Sequence, residues 1–289
     1  MNLEEFISSI APENNVFVCV KDISDITQKT PFQIEHARRI LSGSFCTAAK
    51  NVPGGLITCI EEADYKTTRA TKTKKTFVRK CPFGVTSVVH PVIVNDKVIC
   101  VLYITSLVTD STVSSSDIKI TCARLKGNPN RILNQLPSLQ HTKSLDEYFR
   151  LAEAIDAYIQ LMIKETGAFA PHHQYHTAVQ EAISEMKLSY HKDISLQSCA
   201  KSLGMNPKYL GRLFQQQTGI NFHNYLNSVR ITHAKDLLFA TSAPIIEIAL
   251  SCGYNTVTYF NRIFKQSVGM SPSAFRKKHN PPKKKKSAQ

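Results

Sequence analysis

An internal repeat between residues 194 and 276 limits the possible fold of this chain more than any other feature. In each copy a helical pattern of apolar residues ends at a glycine, Gly204 in the first copy and Gly253 in the second, and another helical pattern follows. The offset between the copies is 49 residues up to the glycine and 50 after it. The matching pairs are Ala200 and Ala249, Leu203 and Cys252, Tyr209 and Tyr259, Leu210 and Phe260, Arg212 and Arg262, Phe214 and Phe264, and Gly219 and Gly269. A short repeat of helix, glycine turn and helix is typical of two helix-turn-helix units in tandem.

The residues around each turn agree with this prediction. Gly204 and Gly253 stand where a helix ends in a left-handed residue, and Asn206 followed by Pro207 is a strong signal for the start of the next helix. Residues 222–239, which join the units, contain no proline or glycine and predict a helix of roughly 27 Å at 1.5 Å per residue. That length approaches the roughly 34 Å turn of B-DNA, so the second helices of the two units could enter successive major grooves.

Several motifs in this region are those of one family. They are Tyr209-Leu210-x-Arg212-Leu213-Phe214, Thr218-Gly219, Arg230-x-x-x-Ala234-x-x-Leu237-Leu238, Ile245-x-Glu247-Ile248-Ala249-x-x-x-Gly253-Tyr254, Tyr259-Phe260-x-Arg262-x-Phe264-Lys265 and Gly269-x-Ser271-Pro272-x-x-Phe275-Arg276. Over residues 170–279 the chain therefore resembles the AraC/XylS transcription regulators. The resemblance implies an all-α DNA-binding domain at residues 171–279, with two helix-turn-helix units joined by a long helix.

The resemblance also implies which residues contact double-stranded DNA. The base-reading positions fall on Pro207, Lys208, Gly211 and Arg212 in the first unit and on Val257, Thr258, Asn261 and Arg262 in the second. Gln215 and Lys265 stand at the phosphate-contacting positions. A guanidinium can bind guanine O6 and N7 together, and an asparagine suits adenine. Because Gly211 and Gln215 depart from the usual family pattern, we expect the second unit to read more of the half-site than the first. Arg230 is expected to form an internal ion pair with Asp236 or Glu247 instead of contacting DNA.

The charge of the chain is concentrated in the same region. Of the net charge of +14, residues 170–289 carry +11 and residues 1–169 carry +3, as expected for a nucleic-acid-binding C-terminal half. The tail at residues 280–289, with Lys283 to Lys286, is predicted to be a flexible basic arm that contacts phosphates. The tail keeps open an alternative function, that of a sequence-independent architectural or RNA-binding protein.

Residues 1–110 predict an α+β sensory domain. Val88 to Val94 and Val98 to Ile104 are two β-rich runs separated by Asn95-Asp96-Lys97, which predicts a hairpin with a short loop. Helices around antiparallel strands suggest a PAS- or GAF-like sensor. The segment Lys80-Cys81-Pro82-Phe83-Gly84, which leads into this hairpin, resembles the PocR-type sensory domain. That resemblance implies a small-molecule effector, with Lys80, Cys81 and Phe83 as candidate ligand-binding residues.

Two further segments of this domain carry predictions. Residues 56–60 read as a strand after the turn at residues 53–55, and the basic, threonine-rich residues 65–80 read as a mobile loop. The alternatives for residues 65–80 are an anion site for a carboxylate or phosphate ligand and a contact with the DNA backbone.

Residues 111–170 are predicted to link the two domains. Within them, residues 144–166 are predicted to form a helix in which apolar residues follow a heptad spacing; these are Leu145, Tyr148, Ala152, Ile155, Ile159 and Met162. The seam either packs on its own domain or pairs two copies. A homodimer is favoured, because tethering two readers on adjacent sites raises affinity.

Other site classes find little support. The eight cysteines contain no C-x-x-C motif, which favours reduced, buried thiols over a metal or redox site. His172, His173 and His176 lack acidic or cysteine neighbours and are predicted to be exposed residues at a helix start. We find no nucleophile–base constellation, phosphate loop or metal triad, so neither an enzyme nor a cofactor is expected. No apolar run has the length of a membrane span.

These observations predict a cytoplasmic, bacterial transcription regulator. We expect a ligand-responsive activator that binds a promoter operator, forms a homodimer and contacts RNA polymerase.

Overall fold

The computed structural model describes residues 1–11, 16–40, 43–168 and 175–279. The chain divides into two compact units, Met1–Leu188 and Ser189–Gln289. The first unit extends past residue 110, the predicted end of the sensory domain. The predicted basic tail at residues 280–289 lies outside the described residues, as do His172 and His173.

A mostly antiparallel sheet forms the centre of the first unit. Its strands are β1 (Phe17–Asp22), β2 (Phe77–Lys80), β3 (Thr86–Val94), β4 (Lys97–Val108) and β5 (Gln140–His141). The order is β1-β4-β3-β2, and β5 runs parallel to the end of β4. Almost all of β4 is buried, because helices cover both faces of the sheet.

The hairpin predicted between residues 88 and 104 is confirmed. β3 and β4 are antiparallel, and Val94 pairs with Lys97 across a two-residue turn. Both turn residues, Asn95 at φ 47° and Asp96 at φ 63°, are left-handed. This is the geometry of the tight turn that matches the natural twist of paired strands.

Helices pack around this sheet. They are α1 (Leu3–Ile10), α2 (His36–Arg39), α3 (Ser44–Lys50), α4 (Gly55–Thr73), α5 (Ser111–Arg124), α6 (Asn130–Leu133), α7 (Asp146–Thr166) and α8 (Thr177–Ser189). One face of the sheet packs against α1 and α7, and the other face lies against α4.

Helix α4 corrects two predictions. Residues 56–60 are its first turns and not a strand, and residues 65–80 are its second half followed by β2, not a loop. A short apolar run fits either a strand or a buried helix, so its periodicity does not decide between them. The threonines fit the helix because their hydroxyls bond to carbonyls four residues back, as Thr67 does to Ala63 and Thr71 does to Thr67.

The segment predicted as a linker belongs to the first unit. Helix α5 begins where a polar connection was expected. Ile118 and Cys122 of α5, Ile132 of α6 and Leu136 are buried in one apolar cluster with Phe83. Residues 111–141 therefore help to form the core of this unit.

The heptad seam of α7 packs on its own domain, the alternative that the spacing left open. Ile155 and Ile159 are buried in the same cluster as Val20 and Leu102 of the sheet. Polar contacts also hold α7 against β3. His90 Nε2 of β3 lies 2.9 Å from Asp156 Oδ2 of α7, and Gln160 Nε2 of α7 donates to the Ile93 carbonyl of β3 at 2.8 Å. A seam covered by its own sheet is not available to a second copy, which corrects the favoured pairing of two copies through this seam.

The second unit contains the predicted tandem repeat. Its helices are α9 (Leu196–Ser202), α10 (Pro207–Thr218), α11 (Phe222–Ala240), α12 (Ile245–Ser251), α13 (Val257–Val268) and α14 (Pro272–His279). Gly204 and Gly253 are left-handed at the turns, with φ of 64° and 83°. The connecting helix α11 has 19 residues, within one residue of the prediction.

Candidate nucleic-acid interface

The two helices that carry the predicted DNA-reading residues are built in the same way. Asn206 accepts the backbone N–H groups of Lys208 and Tyr209 at the start of α10, and Thr256 accepts that of Tyr259 at the start of α13. These side chains satisfy donors that have no partner within a helix. Both helices end at a left-handed glycine, Gly219 or Gly269.

Buried aromatic residues orient both helices. Phe214 of α10 packs against Phe222 and Tyr225 of α11. Phe264 of α13 packs against Phe260 of the same helix and Phe275 of α14. Because residues four apart share one face of a helix, burying these positions turns the remaining faces outward.

The predicted contact residues lie on those outward faces. Lys208, Arg212 and Gln215 of α10 are exposed, as are Thr258, Asn261, Arg262 and Lys265 of α13. Pro207, Gly211 and Val257 are partly buried. The structure thus assembles two polar faces, one on each helix, with the composition that base and phosphate contacts require.

A groove lies beside α10, the helix that carries the first polar face. It has a volume of about 870 Å³, and α10, the start of α9 and the start of α11 line it. Gly211 lies in this groove, where an added Cβ would stand 3.0 Å from Leu196 Cδ2. The glycine therefore has a packing reason that sequence reasoning missed: a larger side chain would require Leu196 to move.

The second face contains a contact that the sequence did not indicate. The Arg262 guanidinium lies 5.1 Å from the centre of the Tyr259 ring, within the range of a cation–π interaction. Tyr259 Oη in turn lies 3.4 Å from His223 Nε2 at the start of α11. These contacts hold the exposed Arg262 side chain against its own helix.

Arg230 has an internal role, but its acceptors differ from those predicted. Its Nε donates to the Tyr190 carbonyl and its Nη2 to the Lys192 carbonyl, both at 2.9 Å. Burial lowers the pKa of the Arg230 guanidinium, against the opposing effect of Tyr254. The predicted role inside the domain, away from DNA, agrees with this position. The backbone carbonyls are long-range partners that sequence spacing does not reveal.

The candidate ligand residues of the first unit are not all alike. Lys80 Nζ forms an ion pair with Asp117 at 2.7 Å, whereas the Phe83 side chain is buried in the apolar core. Cys81 is partly exposed, and burial raises the pKa of its thiol. The structure therefore places Lys80 at the surface, Phe83 inside and Cys81 between them.

The described part of the chain contains no candidate metal site and no candidate membrane-spanning helix. No group of three or more potential metal ligands occurs among residues 1–11, 16–40, 43–168 and 175–279. His176, next to the start of α8, accepts the backbone N–H of Ala178 through Nδ1. None of the helices in those ranges combines the length and apolar character needed to cross a bilayer.

Comparison with known families agrees with both units. The family described as "Sensory domain found in PocR" matches residues 19–165, slightly more than half of the chain. The family described as "Helix-turn-helix domain" matches residues 199–278.

Curated relatives match the chain over part of its length. The uncharacterized HTH-type transcriptional regulator YijO of Escherichia coli is 34% identical over 36% of this chain and 35% of its own. The uncharacterized transcriptional regulatory protein YesN of Bacillus subtilis is 42% identical over 30% of this chain and 24% of its own. The chain thus spans about a third or less of these relatives.

Solved structures also match a part of the chain. The C-terminal domain of AraT, a response regulator from Geobacillus stearothermophilus, is 31% identical with a TM-score of 0.38, over 40% of this chain and 98% of that one. With the sensory match and the tandem helices taken together, the chain belongs to the family of PocR sensory domains and joins this domain to a helix-turn-helix domain of the AraC type.

Proposed function

We propose that the protein is a sequence-specific, DNA-binding transcription regulator that responds to a small molecule. The observation that carries the proposal is the pair of outward polar faces on α10 and α13, each fixed by buried aromatic residues. The 19-residue α11 between the units is about 28 Å long at 1.5 Å per residue, which suits readers in successive major grooves.

The regulatory part of the proposal concerns the first unit. We propose that it is a PAS- or GAF-like sensor whose effector favours one of two arrangements of the protein, since a ligand shifts an equilibrium only through different affinities for its two states. We further propose a cytoplasmic bacterial activator that acts as a homodimer and contacts RNA polymerase. The buried seam of α7 means that such a dimer must use another surface.

A DNase footprint at physiological salt tests the central claim. A regulator of this kind protects a short, defined site in a promoter. The alternative, an architectural or RNA-binding protein, would protect DNA without sequence preference, because phosphate contacts carry no base information. A footprint without defined edges would therefore exclude the proposed specificity.

Arg262→Ala is expected to weaken operator binding by about 1–3 kcal/mol and to relax the preference at one base pair. The reason is that the exposed guanidinium of α13 can donate to guanine O6 and N7 together. Titration against the operator and a set of single-base variants measures both effects. Unchanged binding by the variant would remove Arg262 from the set of base-reading residues.

Lys265→Ala is expected to give a different result. Its exposed ammonium is proposed to contact phosphate, so the variant should bind all DNA sequences more weakly, and the slope of log K against log salt should fall by about 0.9. Binding titrations at several salt concentrations, on operator and on unrelated DNA, provide the measurement. A loss confined to the operator would show that Lys265 reads a base.

A further inference from the structure

A cluster of polar side chains lies inside the first unit, between α4 and the sheet. The Lys66 side chain of α4 enters this interior, and the residue is only 3% exposed. Its Nζ donates to Ser87 Oγ of β3 at 3.2 Å, and Ser87 Oγ lies 2.8 Å from Thr105 Oγ1 of β4. A lysine ammonium and two hydroxyls therefore meet in a part of the domain closed to solvent.

No carboxylate of the described residues lies at hydrogen-bond distance from the Lys66 ammonium. Among the described residues, Glu62 is the carboxylate that reaches Lys66 Nζ, at 3.9 Å. Glu62 already accepts from Arg79 Nε at 3.0 Å and Nη2 at 3.3 Å. Charge-assisted hydrogen bonds between an ammonium and a carboxylate are usually about 2.7–2.9 Å long. A buried ammonium is unfavourable when no carboxylate lies at this distance, so a further anionic partner would stabilise Lys66.

The surroundings of Lys66 add positive charge and neutral thiols. Lys50, the last residue of α3, is also buried. Cys46, Cys59 and Cys81 pack against the apolar cluster that contains Phe83. Burial raises the pKa of each thiol, to about 12 for Cys59, and the charge of Lys66 opposes this rise in all three. The thiols are thus protonated at neutral pH and do not neutralise the lysine.

We infer that the Lys66, Ser87 and Thr105 cluster is the effector site of the sensory unit and that its ligand is a small monocarboxylate. The carboxylate would accept from the Lys66 ammonium and the two hydroxyls, and a short apolar stem would lie against the neutral thiols. A doubly charged anion fits less well, because the Glu62 carboxylate reaches the same ammonium. The term effector rests on the proposed regulatory function, whereas binding at this site does not.

Thermal unfolding of the full chain with acetate, propionate and pyruvate tests the site. Propionamide is the uncharged control, sodium chloride matches the ionic strength, and inorganic phosphate represents the other anion class. At least one monocarboxylate should raise Tm in a concentration-dependent way, since a ligand that binds the folded state stabilises it by mass action. Lys66→Gln should abolish this rise, and Lys72→Gln, at an exposed position of α4, should keep it.

Three results would overturn the site: an equal rise in the Lys66→Gln variant, an equal rise with propionamide, or no rise with any carboxylate. A rise with phosphate alone would overturn the ligand class. If Lys66→Gln does not fold, Ser87→Ala takes its place and should weaken binding at least fivefold.

These measurements need no DNA, so a missing operator footprint would leave them standing. Conversely, a carboxylate that stabilises the chain but leaves operator affinity unchanged would overturn the effector role and retain the binding site.

Discussion

Gly253→Ala is expected to lower the free energy of unfolding of the C-terminal unit by about 3–5 kcal/mol. Gly253 has φ +83°, which an L-residue adopts only with strain, and an added Cβ would stand 2.8 Å from the Tyr190 carbonyl oxygen and 2.9 Å from Arg230 Nη2. Relief of these clashes must move Arg230 away from the Tyr190 and Lys192 carbonyls to which it donates. The variant therefore combines backbone strain with the loss of hydrogen bonds to a charged group.

The repeat itself provides the matched control for this variant. Gly204 is the counterpart of Gly253 and has φ +64°, but no atom of the described residues comes within 4 Å of its added Cβ. Gly204→Ala should therefore cost only the strain of the left-handed backbone, about 1–2 kcal/mol. Denaturant unfolding of the full chain, followed by circular dichroism, compares the two. Equal losses would mean that the contact with Arg230 contributes nothing.

The two glycines show which features the sequence can predict and which it cannot. Apolar spacing, a glycine and an N-capping residue are local signals, so the two helix-turn-helix units and their outward faces follow from them directly. The contact of Gly211 with Leu196 and the acceptors of Arg230 depend on how separate helices pack. Those features do not follow from the sequence, although they determine how the two otherwise similar units differ.

In the first unit, secondary structure could not be predicted from sequence for a different reason. There the local apolar pattern was ambiguous, rather than the contacts being distant in sequence. Residues 56–60 form a short apolar run that suits a strand as well as a buried helix, and the basic residues after it resemble a loop. In the structure both belong to α4, whose inner side carries Lys66 to the sheet while exposed positions such as Lys72 carry charge outward. An anion site in residues 65–80 was one alternative from sequence; only the fold separates Lys66, which is buried, from its exposed neighbours.

Ile155→Ala is expected to lower the free energy of unfolding of the first unit by about 2–5 kcal/mol, as for other large-to-small changes in a core. Ile155 is 0% exposed and belongs to the cluster that joins α7 to the sheet. The loss should be the same at low and high protein concentration, because the partner of Ile155 is in the same chain. Thermal unfolding at two concentrations a hundredfold apart measures both properties.

Leu161→Ala is the matched control for this prediction, since Leu161 lies on α7 but is 50% exposed. Its replacement should change stability by no more than about 0.5 kcal/mol, the range usual for surface positions. If Ile155 instead lay in a seam between two copies, the alternative that the sequence favoured, stability would depend on protein concentration by mass action. If the stability lost in Ile155→Ala varies with protein concentration, the heptad residues form a dimer seam. If the loss is constant and Leu161→Ala leaves stability unchanged, they form part of the core of the sensory domain.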